Sequence, residues 1–420
     1  MRLPVILSVY AATFPLVSLV APKGTVPLLI LATLAGAVAA WLERRRPRWP
    51  GRGLLAVLAM FLAWALASAA WSLDPALSLR DGARIGATLL TGIVFLAIAA
   101  SLATDERTRV LKWLTIGIVA IMALLAAEYL LGYPLLHLIY LVMGHSETKP
   151  LLAGQIMPPR YNRGVTALAL AVWPALALMA RGSEGTSGAR RAAPWLLFAA
   201  AAIALVLSNS AAGVVALAIG GAMWGLSRIA PKAGRALVIV VPVVVLIGAP
   251  FAAREMRDAG LQHDHWLFNS AQHRVEIWGF TADIIAGRPL QGWGLGASRS
   301  ISELKPKSET TGRPLMLLHP HNAALQILLE LGAVGGALAL AAVLLVARDI
   351  NRAPARTRPY LHALFAGVLV VASVSFGLWQ AHWLATIIGV AALARLTLLA
   401  SGGAAQQRQT AQAPGEGLGG

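Results

Sequence analysis

The chain has no cysteine among its 420 residues, which excludes disulfides, thiol nucleophiles and thiolate metal sites. Charge is also scarce: 13% of residues are Asp, Glu, Lys or Arg, against 58% hydrophobic. A soluble globule carries about one charged residue in four, so an ordinary soluble domain is excluded. Acid is scarcer than base, 18 Asp and Glu against 35 Lys and Arg, giving a net charge of +17. In a soluble chain that imbalance would suggest nucleic acid. Here much of the excess sits in short loops between apolar runs, where membrane topology explains it and no nucleic-acid partner is needed.

What the chain has is apolar length. Its mean hydropathy is +0.69, and runs near the 17–25 residues of a membrane helix recur along almost all of it. We read an all-α polytopic membrane protein with twelve spans, at roughly 4–21, 25–42, 54–71, 87–103, 114–131, 165–179, 195–207, 214–226, 236–249, 322–346, 361–378 and 384–400. The first run could pass for a signal peptide, but Pro22 follows Ala21 without a small-x-small cleavage site, so it reads as a retained span. Segment 43–53 carries five arginines, 227–235 three basic residues and 348–359 four. The positive-inside rule puts these loops, and both termini, in the cytoplasm. Two long segments, about 132–164 and 250–321, then face the opposite side. Residues 1–400 form one membrane domain without an internal repeat, and the polar, Gly-rich 401–420 reads as a disordered cytoplasmic tail.

Within the second long loop, Ser270 is placed to cap a helix starting at Ala271, and Gly287 with Pro289 to end it. Val275, Trp278, Ala282 and Ile285 would form its apolar stripe, while Arg274 and Trp278 share a face four residues apart. The loop holds eight basic and seven acidic residues, so anion binding there must come from individually placed arginines. Arg163, with Arg160 three residues before it, closes the first long loop. Guanidinium groups hold phosphate in a two-pronged fork and stay charged; the alternative for each is a headgroup anchor or a salt bridge.

The segment HPHNAALQILLELGAVGG, 319–336, places two histidines at the mouth of an apolar run. His321 is either an interfacial histidine bonded to a neighbouring loop or a general base for a hydroxyl proton. His319 reads as its neighbour, and Pro320 can open the helix at its first turn. Glu330 lies nine residues past His321, about half a turn round and some 13 Å along a helix, and reads as a buried structural acid. Gly332, Gly335 and Gly336 permit close packing. His263, Asp264 and His265 are weak evidence for zinc, so neither metal nor other cofactor is expected.

HNAALQILLELGAVG resembles the H-N-x-x-L-Q-x-x-x-E-x-G signature of the O-antigen ligase/polymerase superfamily of bacterial envelope glycosyltransferases. HRVEIWGFTADIIAGRPLQGWGLG is similar to that family's R-x-x-x-W helix and P-L-x-G-x-G turn, and the Arg163-Gly164 to Trp173-Pro174 stretch fits the ligase branch. The resemblance spans essentially the whole chain. It implies a GT-C-like enzyme of the inner membrane that moves a glycan from undecaprenyl pyrophosphate to the lipid A–core oligosaccharide. The reaction would be periplasmic, inverting and independent of metal. It also implies His321 as base, Arg274 as the loop-helix arginine at the diphosphate, and Arg163 or Arg160 as the first-loop arginine. His319, Trp278 and Glu276 are secondary candidates. A glycan polymerase or a protein O-oligosaccharyltransferase would share the donor, whereas a twelve-span transporter would call for two similar halves and ionisable residues at mid-membrane.

Overall fold

In the computed structural model the described residues are 2–142, 161–183, 186–208, 210–302, 307–308, 312, 315 and 318–412, without the side chains of 140, 162, 163, 302 and 402–412. Arg160 and the side chain of Arg163 thus lie outside the described residues, as do 413–420. The protein is all-helical, with no strand among the described residues. Its helices are α1 (Leu3–Val20), α2 (Thr25–Leu42), α3 (Arg52–Ala67), α4 (Pro75–Ala100), α5 (Thr104–Leu130), α6 (Pro134–Val142), α7 (Asn162–Gly182), α8 (Ala189–Leu207), α9 (Ala211–Ile229) and α10 (Pro231–Asp258). They continue with α11 (Asn269–Gly287), α12 (Ala297–Ser302), α13 (Ala323–Asn351), α14 (Arg358–Val374) and α15 (Ala381–Gln412).

Eleven of these are long and apolar enough to cross a membrane, and the 17-residue α14 falls just short. Each of the twelve expected spans coincides with one of these twelve helices. Leu31, Leu34, Val244 and Ile247 point outward at 60–65% exposure, which suits lipid and not water. Inside, α7 is buried at almost every position from Val165 to Ala177, around Trp173. It packs against α1, α5, α14 and α15 in the largest apolar cluster. Small residues set the spacing: a Cβ on Gly117 would lie 2.3 Å from the Ala12 carbonyl oxygen, so α5 and α1 meet backbone to backbone.

Several boundaries differ from the sequence expectation. Helix α4 starts at Pro75 and not near 87, because Asp74 caps it by accepting the Leu77 N–H at 2.9 Å. The ionisable residues Arg80, Asp81 and Arg84 lie in its opening turns, and they had ended the apolar run early. Helix α10 continues through the polar REMRD to Asp258, so the long loop begins at 259 and not at 250. Helix α11 starts at Asn269, which makes Ser270 its second residue and not its cap. Pro320 stands before α13 without opening it, since Asn322 is the cap. Helix α15 runs on to Gln412, where Ala, Gln and Arg sustain a helix in place of the expected disordered tail.

Helix α11 lies on α10. Arg254 and Arg257 of α10 both bond the Asp283 carboxylate, and Arg254 also donates to the Ala282 carbonyl oxygen at 2.7 Å. The guanidinium of Arg257 beside it is the main reason that the Asp283 carboxyl sits below its ordinary pKa. The expected stripe of Val275, Ala282 and Ile285 is buried, with Trp278 packed at its edge.

Candidate active site

Asn322 has extended backbone, φ −149° and ψ 116°, and its side chain accepts the Leu325 N–H at 3.1 Å. That cap stops α13 one residue short of His321, which takes φ +56°. An L-residue held in the left-handed region carries strain of about 1–3 kcal/mol, so its neighbours must hold it. They do so through both ends of the residue. The His321 N–H donates to Nδ1 of His319 at 3.2 Å, and its own Nδ1 stands 2.6 Å from the Ser375 carbonyl oxygen.

These contacts settle the tautomers. A carbonyl oxygen only accepts, so Nδ1 of His321 carries the proton and Nε2 keeps its lone pair. His319 accepts at Nδ1 and therefore carries its proton on Nε2. The Gln380 amide nitrogen lies 3.0 Å from that Nε2, while the amide oxygen is buried without a partner. Turning the amide over satisfies both groups. The two rings sit 4.3 Å apart.

Arg274 comes from the second turn of α11. Its Nη1 donates to the Ser270 carbonyl oxygen at 3.0 Å, its Nε is buried without a partner, and no carboxylate pairs with it among the described residues. Burial lowers its pKa. One turn on, Trp278 donates Nε1–H to the Pro320 carbonyl oxygen at 2.9 Å, tying α11 to the histidine segment. Burial also pushes His319 from 6.5 down to about 3, helped by His321, Arg299 and Arg274. His321 is lowered too, chiefly by burial, with Ser375 opposing and Arg274 and His273 assisting. Both rings are thus neutral at neutral pH, and Arg274 acts on both. Glu276 is buried on α11 between Val275 and Ile277.

A second group of charges adjoins them. The buried Asp81 of α4 pairs with Arg84 at 3.2 Å and with Arg299 of α12 at 3.3 Å. Both arginines remain more than a third exposed. One carboxylate thus pre-orients two guanidinium groups and leaves a net positive charge facing solvent. Arg84 also reaches the Trp379 carbonyl oxygen at 3.4 Å.

Below the site, Glu330 is fully buried and accepts four hydrogen bonds. Ser298 Oγ (2.6 Å) and Gln326 Nε2 (3.1 Å) donate to one oxygen, the Gly296 N–H (2.8 Å) and Trp379 Nε1 (2.7 Å) to the other. Two residues on, α13 breaks at Gly332, φ +64° and ψ −165°. The turn at 289–296 inserts there. Trp293 and Gly294 N–H groups donate to the Leu329 and Glu330 carbonyls, while Ala333 and Val334 donate to those of Pro289 and Leu290. Trp64 Nε1 takes the Leu331 carbonyl at 2.9 Å. Backbone groups freed inside a membrane helix must be re-satisfied by protein, and this turn does so. A Cβ on Gly332 would stand 2.3 Å from the Leu290 oxygen, so only glycine fits.

His319, His321, Arg274 and Trp278 are therefore brought together, while Glu330 lies beneath them on other partners. Sequence reasoning missed Arg299, Asp81, Arg84, Ser375, Gln380 and Trp379. Among the described residues no three His, Cys, Asp or Glu side chains gather as a metal ligand set. The arrangement can accept a proton at His321 Nε2 and hold an anion against Arg274.

Residues 196–340 match the model of the O-antigen ligase family. Over that stretch the chain is similar to an O-antigen ligase domain. That domain runs from α8 to the middle of α13 and so contains Arg274, the 289–296 turn, both histidines and the Gly332 break. Curated relatives agree with it: provisionally named polysaccharide ligases of Rickettsia felis and Rickettsia typhi are 25% and 24% identical over 343 residues, covering 80% of this chain and 79% of theirs. A relative from Rickettsia bellii with the same provisional name is 29% identical over 241 residues, 56% of this chain and 57% of its own. Asp81 and Arg84 of α4, and Ser375 and Gln380 in the turn between α14 and α15, lie outside the matched domain.

Proposed function

We propose that the protein is an O-antigen ligase, moving a glycan from undecaprenyl pyrophosphate to the lipid A–core oligosaccharide at the periplasmic face of the bacterial inner membrane. One observation carries the reading: a neutral histidine with its proton fixed at Nδ1 offers its Nε2 lone pair near a half-buried guanidinium that has no carboxylate partner among the described residues. An acceptor hydroxyl gives its proton to His321 Nε2 as its oxygen attacks the anomeric carbon. The bond from that carbon to the diphosphate oxygen breaks, and the configuration inverts. Charge growing on the departing lipid diphosphate is held by Arg274, with Arg163 or Arg160 as the further candidate from the first long loop. The imidazolium then releases its proton to water.

A lipid diphosphate is already an activated leaving group, so the chemistry asks for an oriented base and fixed cations, with no nucleotide or metal. The test is transfer by purified protein in lipid, with donor and acceptor varied separately. Product on lipid A–core without nucleotide supports the ligase. Product only on a second lipid-linked glycan makes it a polymerase, and product only on protein an oligosaccharyltransferase. Substrate movement without bond formation would make it a transporter.

A further inference from the structure

Helices α13 and α15 both run from the histidine end of the bundle to a second concavity at the other end. Along the 29 residues of α13 that is about 40 Å. The cavity there has a volume of about 900 Å³ and is bounded by α5, α7, α15 and the segment 354–357 between α13 and α14. It lies at the end of the bundle that bears the arginine-rich 348–359 segment.

Its chemistry is two-sided. Lys112, Arg181 and Arg356 line it, and no Asp or Glu does among the described residues. Lys112 and Arg356 are exposed, while Arg181 is tethered through Nη2 to the Ala400 carbonyl oxygen at 3.2 Å. One turn further along the same helix faces from Lys112 and Arg181, Ile116 of α5 and Leu178 of α7, with Met179 beside it, form an apolar wall. Thr357 also lines it, is 2% exposed, and holds a hydroxyl with no partner among the described residues. It sits at the N-cap of α14, where a threonine hydroxyl ordinarily satisfies the helix, yet it makes no capping bond.

We infer that this cavity is a binding site for an anionic glycerophospholipid. Guanidinium forks and a threonine hydroxyl take phosphate oxygens, and the apolar wall takes the first carbons of the acyl chains. A bare phosphate would leave that wall unused. A zwitterionic headgroup would bring a quaternary ammonium in among three cations. The volume lies within the roughly 300–1,000 Å³ usual for small-molecule sites, and basic pockets between membrane helices commonly recognise anionic headgroups. The inference is independent of the glycan chemistry at the other end.

The experiment is native mass spectrometry of the full chain released from nanodiscs of phosphatidylglycerol or phosphatidylcholine, with thermal unfolding measured alongside. Lys112→Ala/Arg356→Ala is the comparison, since both side chains are exposed and their removal should leave the fold intact. Phosphatidylglycerol should remain bound to the wild type and raise its Tm, and the double variant should lose about tenfold in occupancy. Equal retention of phosphatidylcholine, unchanged occupancy in the double variant, or the same rise in Tm from inorganic phosphate alone would each overturn the assignment. A variant whose Tm without added lipid equals the wild type's shows that the loss of binding is not a loss of fold.

Discussion

Nδ1 of His321 and the carbonyl oxygen of Ser375 lie 2.6 Å apart across 54 residues of chain. The contact pins both the tautomer and the ring plane, leaving Nε2 as the only basic nitrogen. His321→Ala should lower glycan transfer by about 10²–10⁴, the usual contribution of a general base, with donor affinity largely kept. His319→Ala should cost only a few-fold, through loss of the acceptor for the His321 N–H. Transfer rate and donor affinity at matched protein level decide this. A dead His319 variant beside a live His321 variant would place the base on the other ring, and loss of donor binding in both would turn attention to Glu276.

The pH dependence follows from the same pair. His321 must be neutral to act and its pKa is lowered, so the acid limb of kcat/KM should fall below the ordinary 6.5. His319 titrates near 3 when folded against 6.5 free. The unfolded chain therefore binds more protons between those values, and the contribution of His319 to stability is complete above pH 6.5 and lost as pH falls toward 3. A Tm that rose on acidification through this window in wild type, relative to His319→Ala, would contradict the burial of the ring.

Arg274→Ala should abolish transfer while expression and insertion persist. Lysine should rescue it poorly, because it offers a point charge in place of a two-pronged donor. Near-normal transfer by the alanine variant would remove Arg274 from the mechanism.

Asp81 holds Arg299 and Arg84 as further cations beside the histidines. Arg299→Ala should raise KM for the lipid-diphosphate donor about tenfold with a smaller change in kcat, and should let the His319 pKa rise. Asp81→Asn should be worse than loss of either arginine, since it frees both forks at once. An unchanged KM in Arg299→Ala would confine the residue to structure.

Metal should be dispensable. Exhaustive chelation should leave transfer intact; if it stops the reaction and a divalent ion restores it, arginines alone do not manage the diphosphate.

The positions of the spans were legible because period and length of apolar runs are set by the bilayer. Helix α11 and the Arg274–Trp278 face were legible because residues four apart must share a side. Arg84 and Asp81 were not, because ionisable residues ahead of an apolar run carry a loop's composition, and only the Asp74 cap makes them the opening turns of α4. Ser375 and Gln380 were invisible for another reason: one acts through its backbone carbonyl and the other through a generic amide, and neither carries a signature. The break at Gly332 was read only as close packing, since nothing local says that a turn some forty residues earlier will fill it.

That break yields the sharpest structural test. Gly332 sits at φ +64° with the Leu290 oxygen where a Cβ would go. Gly332→Ala must therefore accept strain of about 1–3 kcal/mol and also push the 289–296 turn away, losing hydrogen bonds worth about 1 kcal/mol each. Glu330→Gln probes the same clasp from the other side. Gly296 N–H, Trp379 Nε1 and Gln326 Nε2 can only donate, whereas the Ser298 hydroxyl can also accept, so an amide with its NH₂ toward Ser298 still leaves the Gln326 NH₂ facing a donor. At about 1–3 kcal/mol for each buried unsatisfied group, the Tm should drop clearly. Transfer by the fraction still folded should keep its pH profile, because Glu330 does not touch His321. A Glu330→Gln protein with wild-type Tm but no transfer would sink the structural assignment and make Glu330 part of the chemistry.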